Sequence, residues 1–360
     1  MNFFLHSLSL KNYLSSPFGG VNSYSPIWFV LDGTNIRNSA FSFFYGGLKI
    51  NSMTSKSIFT GFLSSTFVIS SYDQVFSHEI CAIFVDSVFR ANTTTGNGGA
   101  ILVSNACANL TCYKCEFIGC RANIGGAIYS TASKSAFQHI CFSECIGSFR
   151  GQSYYIDCEH HICEQSSIYR CSFIEQSGAY CSIDMFNAQV TLKNINVSHC
   201  YVNRHVTGFL VSSVKKEDFR YINIDSCDSP EGATLYMDSN PTVCNLTYGN
   251  VINCPVKQYG LIFTYLRYNI DFSHFVFYNN TGGIYCVANS ASFPRFFDSL
   301  FDCDQTIIKS SSLYSCQFNV IGTNFVINAP NIDRCLDISS QTHHVSKKSY
   351  FYILLFFFIL

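Results

Sequence analysis

Charge is the first shortage in this chain of 360 residues. Asp, Glu, Lys and Arg make up 12% of it, about half the roughly 25% of ordinary domains. The net charge is −1 and no basic stripe is visible, which speaks against nucleic-acid binding. Helical periodicity is also missing. No stretch of ten or more residues carries apolar positions at 3.6 spacing, so a helical solenoid is excluded. No Gly-rich phosphate loop follows a strand and opens a helix. No linker or charge run divides the chain.

What is present is a loose repeat. An apolar residue followed three positions later by Cys or Asn recurs at Phe89/Asn92, Phe117/Cys120, Phe142/Cys145, Val197/Cys200, Ile224/Cys227, Val251/Cys254, Phe277/Asn280 and Leu300/Cys303. Phe173/Gln176 fills the remaining slot with a weaker match. The period is about 26 residues. Glycines follow in most units, among them Gly99, Gly126, Gly151, Gly208 and Gly260. Such a period means a solenoid, in which stacking completes a core that no single unit can close.

The units are short, rich in β-formers, and punctuated by Gly, Asn, Asp and Ser: Cys115 to Ile118, Ala127 to Tyr129, Tyr221 to Ile224, Gly260 to Phe263 and Ile307-Ile308. Leucine is not the recurrent residue, so the leucine-rich alternative fails. Parallel crossovers are overwhelmingly right-handed. The expectation is an all-β fold, a right-handed parallel β-helix over residues 81–335. Its 35 Phe would stack in columns along the axis, over roughly 40 Å at about 4.8 Å per rung. Residues 1–80 are β-like without the register, and read either as irregular N-terminal coils or as a cap.

Three segments carry a resemblance. Phe89 to Asn92 with Gly98-Gly99-Ala100-Ile101, Phe117 to Cys120 with Gly125-Gly126-Ala127-Ile128, and Phe277 to Asn280 with Gly282-Gly283-Ile284 resemble the FxxN plus GGA[ILV] repeat of polymorphic outer membrane proteins. Similar repeats occur in Cys-rich surface families of parasitic protists. The resemblance covers roughly residues 85–305. It implies a pectin-lyase-like right-handed β-helix on a cell surface, with adhesion as its role.

Nineteen cysteines fall largely in the repeat column, so they read as a ladder of small buried thiols with few disulfides. Stacked coils bring Cα atoms within bridging range, but in-register side chains point alike, which is poor bridging geometry. Cys112-Tyr113-Lys114-Cys115 and Cys158-Glu159-His160-His161-Ile162-Cys163 look like metal half-sites, yet neither has a partner pair. The second reads as a loop or a local Cys158–Cys163 disulfide. No metal and no cofactor is assigned. Five sequons, at Asn92, Asn109, Asn196, Asn245 and Asn279, are about what composition gives by chance.

Residues Tyr350 to Leu360 form an uninterrupted apolar tail behind a polar spacer, residues 336–349. Eleven residues are too few to span a bilayer, which takes about 17 to 25. The tail reads as the start of a membrane helix or as a lipid-anchor signal, with a final strand or sticky cap as the bland reading. A membrane is therefore the expected partner. Met1 to Leu10 is a poor signal peptide, so either the true start lies upstream or export is absent.

No catalytic residue is assigned. Asp302 with Asp304 and Asp225 with Asp228 are the best acidic clusters, and turn roles explain them. Lys215-Lys216-Glu217-Asp218, His160, His161, His343 and His344 read as loop residues. The paired Asp-Asp and His-Gly of hydrolase-type β-helices are absent. The leading reading is a non-enzymatic β-helix displayed at a membrane, for adhesion or as a structural surface, with a host-cell or carbohydrate ligand. A carbohydrate-active lyase or hydrolase is the alternative, and three carboxylates in one cleft on adjacent coils would favour it. A decayed family member without a ligand is the third.

Overall fold

The computed structural model describes residues 80–318 apart from short stretches, together with strands between residues 2 and 70. The architecture is a parallel β-solenoid with about 26 residues per winding and almost no helix. Its strands form a 20-stranded sheet, an 11-stranded sheet and a two-stranded ribbon. One winding shows the plan. Ala108–Tyr113 runs to a corner at Lys114, Glu116–Ile118 runs to a second corner at Gly119, and Arg121–Ile124 leads into Gly125-Gly126. Ile128–Ser130 then enters the 11-stranded sheet. Each strand pairs in parallel with its equivalent one winding on.

The corners are backbone devices. The first recurs at Lys114, His139, Gln165, Asn194, Tyr221, Tyr248 and His274, all with φ between 50° and 59°. Left-handed backbone costs a non-glycine residue roughly 1–2 kcal/mol. Bonds to the next winding offset this, such as Lys114 N–H to Gln138 O at 2.9 Å and His139 N–H to Glu164 O at 3.1 Å.

Inside the second strand runs a column that register defines without a break: Ile36, Phe59, Phe89, Phe117, Phe142, Ile168, Val197, Ile224, Val251, Phe277 and Phe301. Phe59, Phe89, Phe117 and Phe142 stack with centroids 4.9 to 5.1 Å apart. Each such pair adds about 0.5–1.5 kcal/mol beyond burial. Two positions differ from the sequence reading. Ile168/Cys171, not Phe173/Gln176, fills the slot after Phe142, and Phe173 lies outside the described residues. Phe301 rather than Leu300 continues from Phe277. In both places an apolar neighbour masked the true register.

The glycine pairs have a physical cause. Gly98, Gly125 and Gly151 adopt φ of +63°, +64° and +60°. A Cβ on Gly126 would sit 2.1 Å from the Gln152 carbonyl oxygen and 2.7 Å from the Ile146 backbone. The turn closes only because no side chain stands there.

Strands within residues 2–60 belong to the same ladders: Asn2–His6, Ile27–Asp32 and Ile50–Ser55 pair in parallel and lead to Ile80–Val85. Ile307 was expected in a strand. It ends a short 3-10 turn, Gln305–Ile307, because Asp304 caps it by accepting from Thr306 N–H at 2.8 Å. The spacer, His343, His344 and the tail Tyr350 to Leu360 lie outside the described residues. No helix among the described residues is long and apolar enough to cross a membrane.

Candidate functional site

The expected loop around His160 is a strand, His160–Tyr169. Alternation turns His160 outward and His161 and Cys163 inward, which burial of the apolar face dictates. Cys158 and Cys163 are both buried and unbridged, so the local disulfide does not form. His161 Nδ1 lies 2.9 Å from Ser135 Oγ, and Cys158 Sγ lies 3.5 Å from the same oxygen. The imidazole packs between Phe137 and Tyr154 at 5.2 and 5.6 Å. Burial lowers its pKa to about 3, so it is neutral in ordinary conditions. A serine within reach of a histidine has the geometry of an activated nucleophile. Both residues are enclosed in the core, and no substrate reaches them there.

Cys112 and Cys115 are likewise core thiols, and burial pushes Cys115 up to about 12. No group of three or more His, Cys, Asp or Glu side chains that could hold a metal ion occurs among the described residues. Lys216–Asp225 is a strand rather than the expected loop; Glu217 is buried in it and Asp218 pairs with Arg220 at 2.7 Å.

On the outside, the most elaborate polar cluster stands where the 11-stranded sheet carries Tyr154–Asp157 and Cys181–Phe186. Asp184 is fully buried and takes Arg150 Nε at 2.5 Å on one oxygen and Nη2 at 2.9 Å on the other. The guanidinium lies over Tyr155 and Phe186 at 5.3 and 5.1 Å, and Tyr155 stacks on Tyr129 at 5.1 Å. Burial raises the Asp184 carboxyl pKa against the pull of Arg150. The bidentate geometry makes the ion pair the governing state. Asp157 accepts from Asn187 Nδ2 at 3.0 Å. Sequence reasoning missed this cluster, because Arg150 and Asp184 are 34 residues apart and no local motif joins them.

The acidic clusters resolve individually. Asp225 accepts from Ser226 Oγ and Asn253 Nδ2, both at 2.8 Å, and Asp302 accepts from Asn279 N–H. Asp304 bonds its own turn, as expected for that position, whereas Asp225 and Asp302 tie neighbouring windings together. Three asparagines stack in the same way: Asn223 donates to Asn196 at 2.8 Å and Asn250 to Asn223 at 3.2 Å. The sequons at Asn92 and Asn196 are therefore buried, while Asn245 and Asn279 are exposed.

Two further surface features stand out among the described residues. At the first corner Tyr221, Tyr248 and His274 stack at 5.2 and 4.7 Å, with both tyrosines about two-fifths exposed. A polar depression of about 300 Å³ is lined by Thr94, Thr95, Arg121, Ala122, Asn123, Ile146 and Ser148. No protein-family model, no curated protein and no solved structure matches this chain.

Proposed function

We propose that this protein is a non-enzymatic β-solenoid displayed at a cell surface, with an adhesive or structural role. The observation that carries the reading is where the outer carboxylates spend their bonds. Asp184 is held by Arg150, Asp271 by Arg295 at 2.6 and 2.7 Å, Glu164 by Lys193 at 3.3 Å, and Asp157 by Asn187. Each fastens one winding to another through a basic or amide partner. General acid–base chemistry needs carboxylates aimed at one bond. The polymorphic outer membrane protein-like repeat supports surface display, and the apolar tail Tyr350 to Leu360 supports membrane attachment. The exposed Tyr221–Tyr248 ladder supplies contact area for a host-cell or carbohydrate ligand.

The enzymatic alternative rests on Asp157 and Asp184 lying on adjacent windings beside Arg150. Incubating the purified chain with polyuronates and neutral polysaccharides, then assaying reducing ends and unsaturated products, separates the two. The proposal expects none. Product release that vanishes in Asp184→Asn, with the fold retained, would replace it with the enzyme. Membrane attachment is tested by fractionating the expressed chain with and without residues 350–360; an unchanged soluble fraction would remove that part.

A further inference from the structure

Cys120, Cys145, Cys171, Cys200, Cys227 and Cys254 take one position in six successive windings, three residues after the core column. All six are buried and unbridged. The adjoining column measures the rung at 4.9 to 5.1 Å. Every sulfur is in side-chain contact with the next along the series. Each thiol also lies within reach of backbone carbonyl oxygens, from Cys254 Sγ to Ile252 O at 3.2 Å and Cys145 Sγ to Phe117 O at 3.4 Å out to Cys120 Sγ to Phe89 O at 3.7 Å. The sulfurs are thus a continuous soft-donor line inside an apolar tube.

We propose that this thiol column binds soft monovalent cations of the Cu(I) or Ag(I) class, each held two-coordinate between sulfurs of successive windings. Thiolate sulfur selects such ions. The zinc–thiolate bond is about 2.3 Å, and bonds of roughly that length on both sides of a linear ion span about 4.6 Å, close to the rung. A disulfide fits less well. It needs Cβ atoms within about 4.5 Å, whereas in-register rungs lie about 4.8 Å apart. Zinc is excluded on the same geometry, since a tetrahedral ion takes four converging ligands and the column offers two at a time.

Charge balance also suits the site. Uptake exchanges a thiol proton for a cation, RSH + M⁺ → RSM + H⁺, and M then bonds the neighbouring sulfur as well. A thiolate sulfur does not hold two ions on opposite sides in one straight line, so filled intervals alternate with empty ones. Three cations with three retained protons leave the six sulfurs uncharged, and no net charge is buried.

The test uses the full chain, reduced and refolded without oxygen in Ag⁺, with bound silver counted by mass spectrometry. The wild-type column is expected to hold about three silver ions. Cys200→Ala and Cys120→Ala are each expected to lose about one, and the off-column Cys163→Ala none. Zn²⁺ in place of Ag⁺ is expected to leave the column empty. Equal losses from all three variants, or adjacent disulfides recovered by peptide mapping in place of silver, would overturn the proposal. If Cys200→Ala does not fold, the comparison of Cys120→Ala with Cys163→Ala decides.

Discussion

Two stretches of the same solenoid fill the same corner in different ways. From Phe59 to Phe142 the column is aromatic, ring on ring, and the turns after Phe89 and Phe117 are closed by the glycine pairs Gly98-Gly99 and Gly125-Gly126. From Ile168 to Val251 the column is aliphatic, and the strands on either side of the first corner merge into runs such as Gln189–Ser198 and Lys216–Asp225. The volume that phenylalanine supplied there comes from other faces, with Met185, Phe209, Phe219 and Met237 all buried. What stays constant is the left-handed corner and its bonds to the next winding. The backbone sets the winding, and side chains of suitable total volume fill it.

Substitutions can break this contrast. The largest effect is expected at Gly126→Ala, where the new methyl meets the backbone of the following winding at two places. A loss above about 4 kcal/mol, or no folded protein, should appear in denaturant titration. Phe117→Ala, in the middle of the ring stack, should cost about 3–5 kcal/mol, against about 1 kcal/mol for Ile224→Val in the aliphatic stretch. Similar values at the two sites would show that the stacks are equivalent after all.

His161 stands at the seam between the stretches, and acid sharpens the comparison there. Its pKa is near 3 in the fold against about 6.5 in the unfolded chain. The unfolded chain therefore binds the extra proton between those values, and stability falls as pH drops from about 6.5 toward 3. The full loss is on the order of 5 kcal/mol. Urea midpoints at pH 7 and pH 4 should differ more in the wild type than in His161→Gln. The smallest effect is expected at Gly119→Ala. Its Cβ would meet nothing within 4 Å, and only φ of +61° resists it, so about 1 kcal/mol should be lost. Circular-dichroism melts of Gly119→Ala and Gly126→Ala would separate conformation from space.

The period, the strands and the thiol ladder were legible because side chains repeat in register: Phe117 above Phe89 and Cys145 above Cys120 need no long-range knowledge. The corners were not. Lys114, Gln165 and Tyr221 take left-handed backbone, yet none of these types signals it, since the bonds that hold them come from the following winding. The same cause hid the Arg150–Asp184 pair and turned His160 to Cys163 and Lys216 to Asp218 from expected loops into strands. Their alternation was too short to outweigh their polarity. Ile168/Cys171 fits the apolar-then-Cys motif in full and Phe173/Gln176 only weakly, but the ring of Phe173, continuing Phe89, Phe117 and Phe142, hid it.

Since each winding touches little beyond the ones directly beside it, a whole winding could be duplicated or deleted without disturbing the bonding of the rest. Such an event would shift everything past it by one rung, roughly 5 Å. Reach is then a heritable quantity in this molecule, adjustable in fixed increments by changes of about 26 residues.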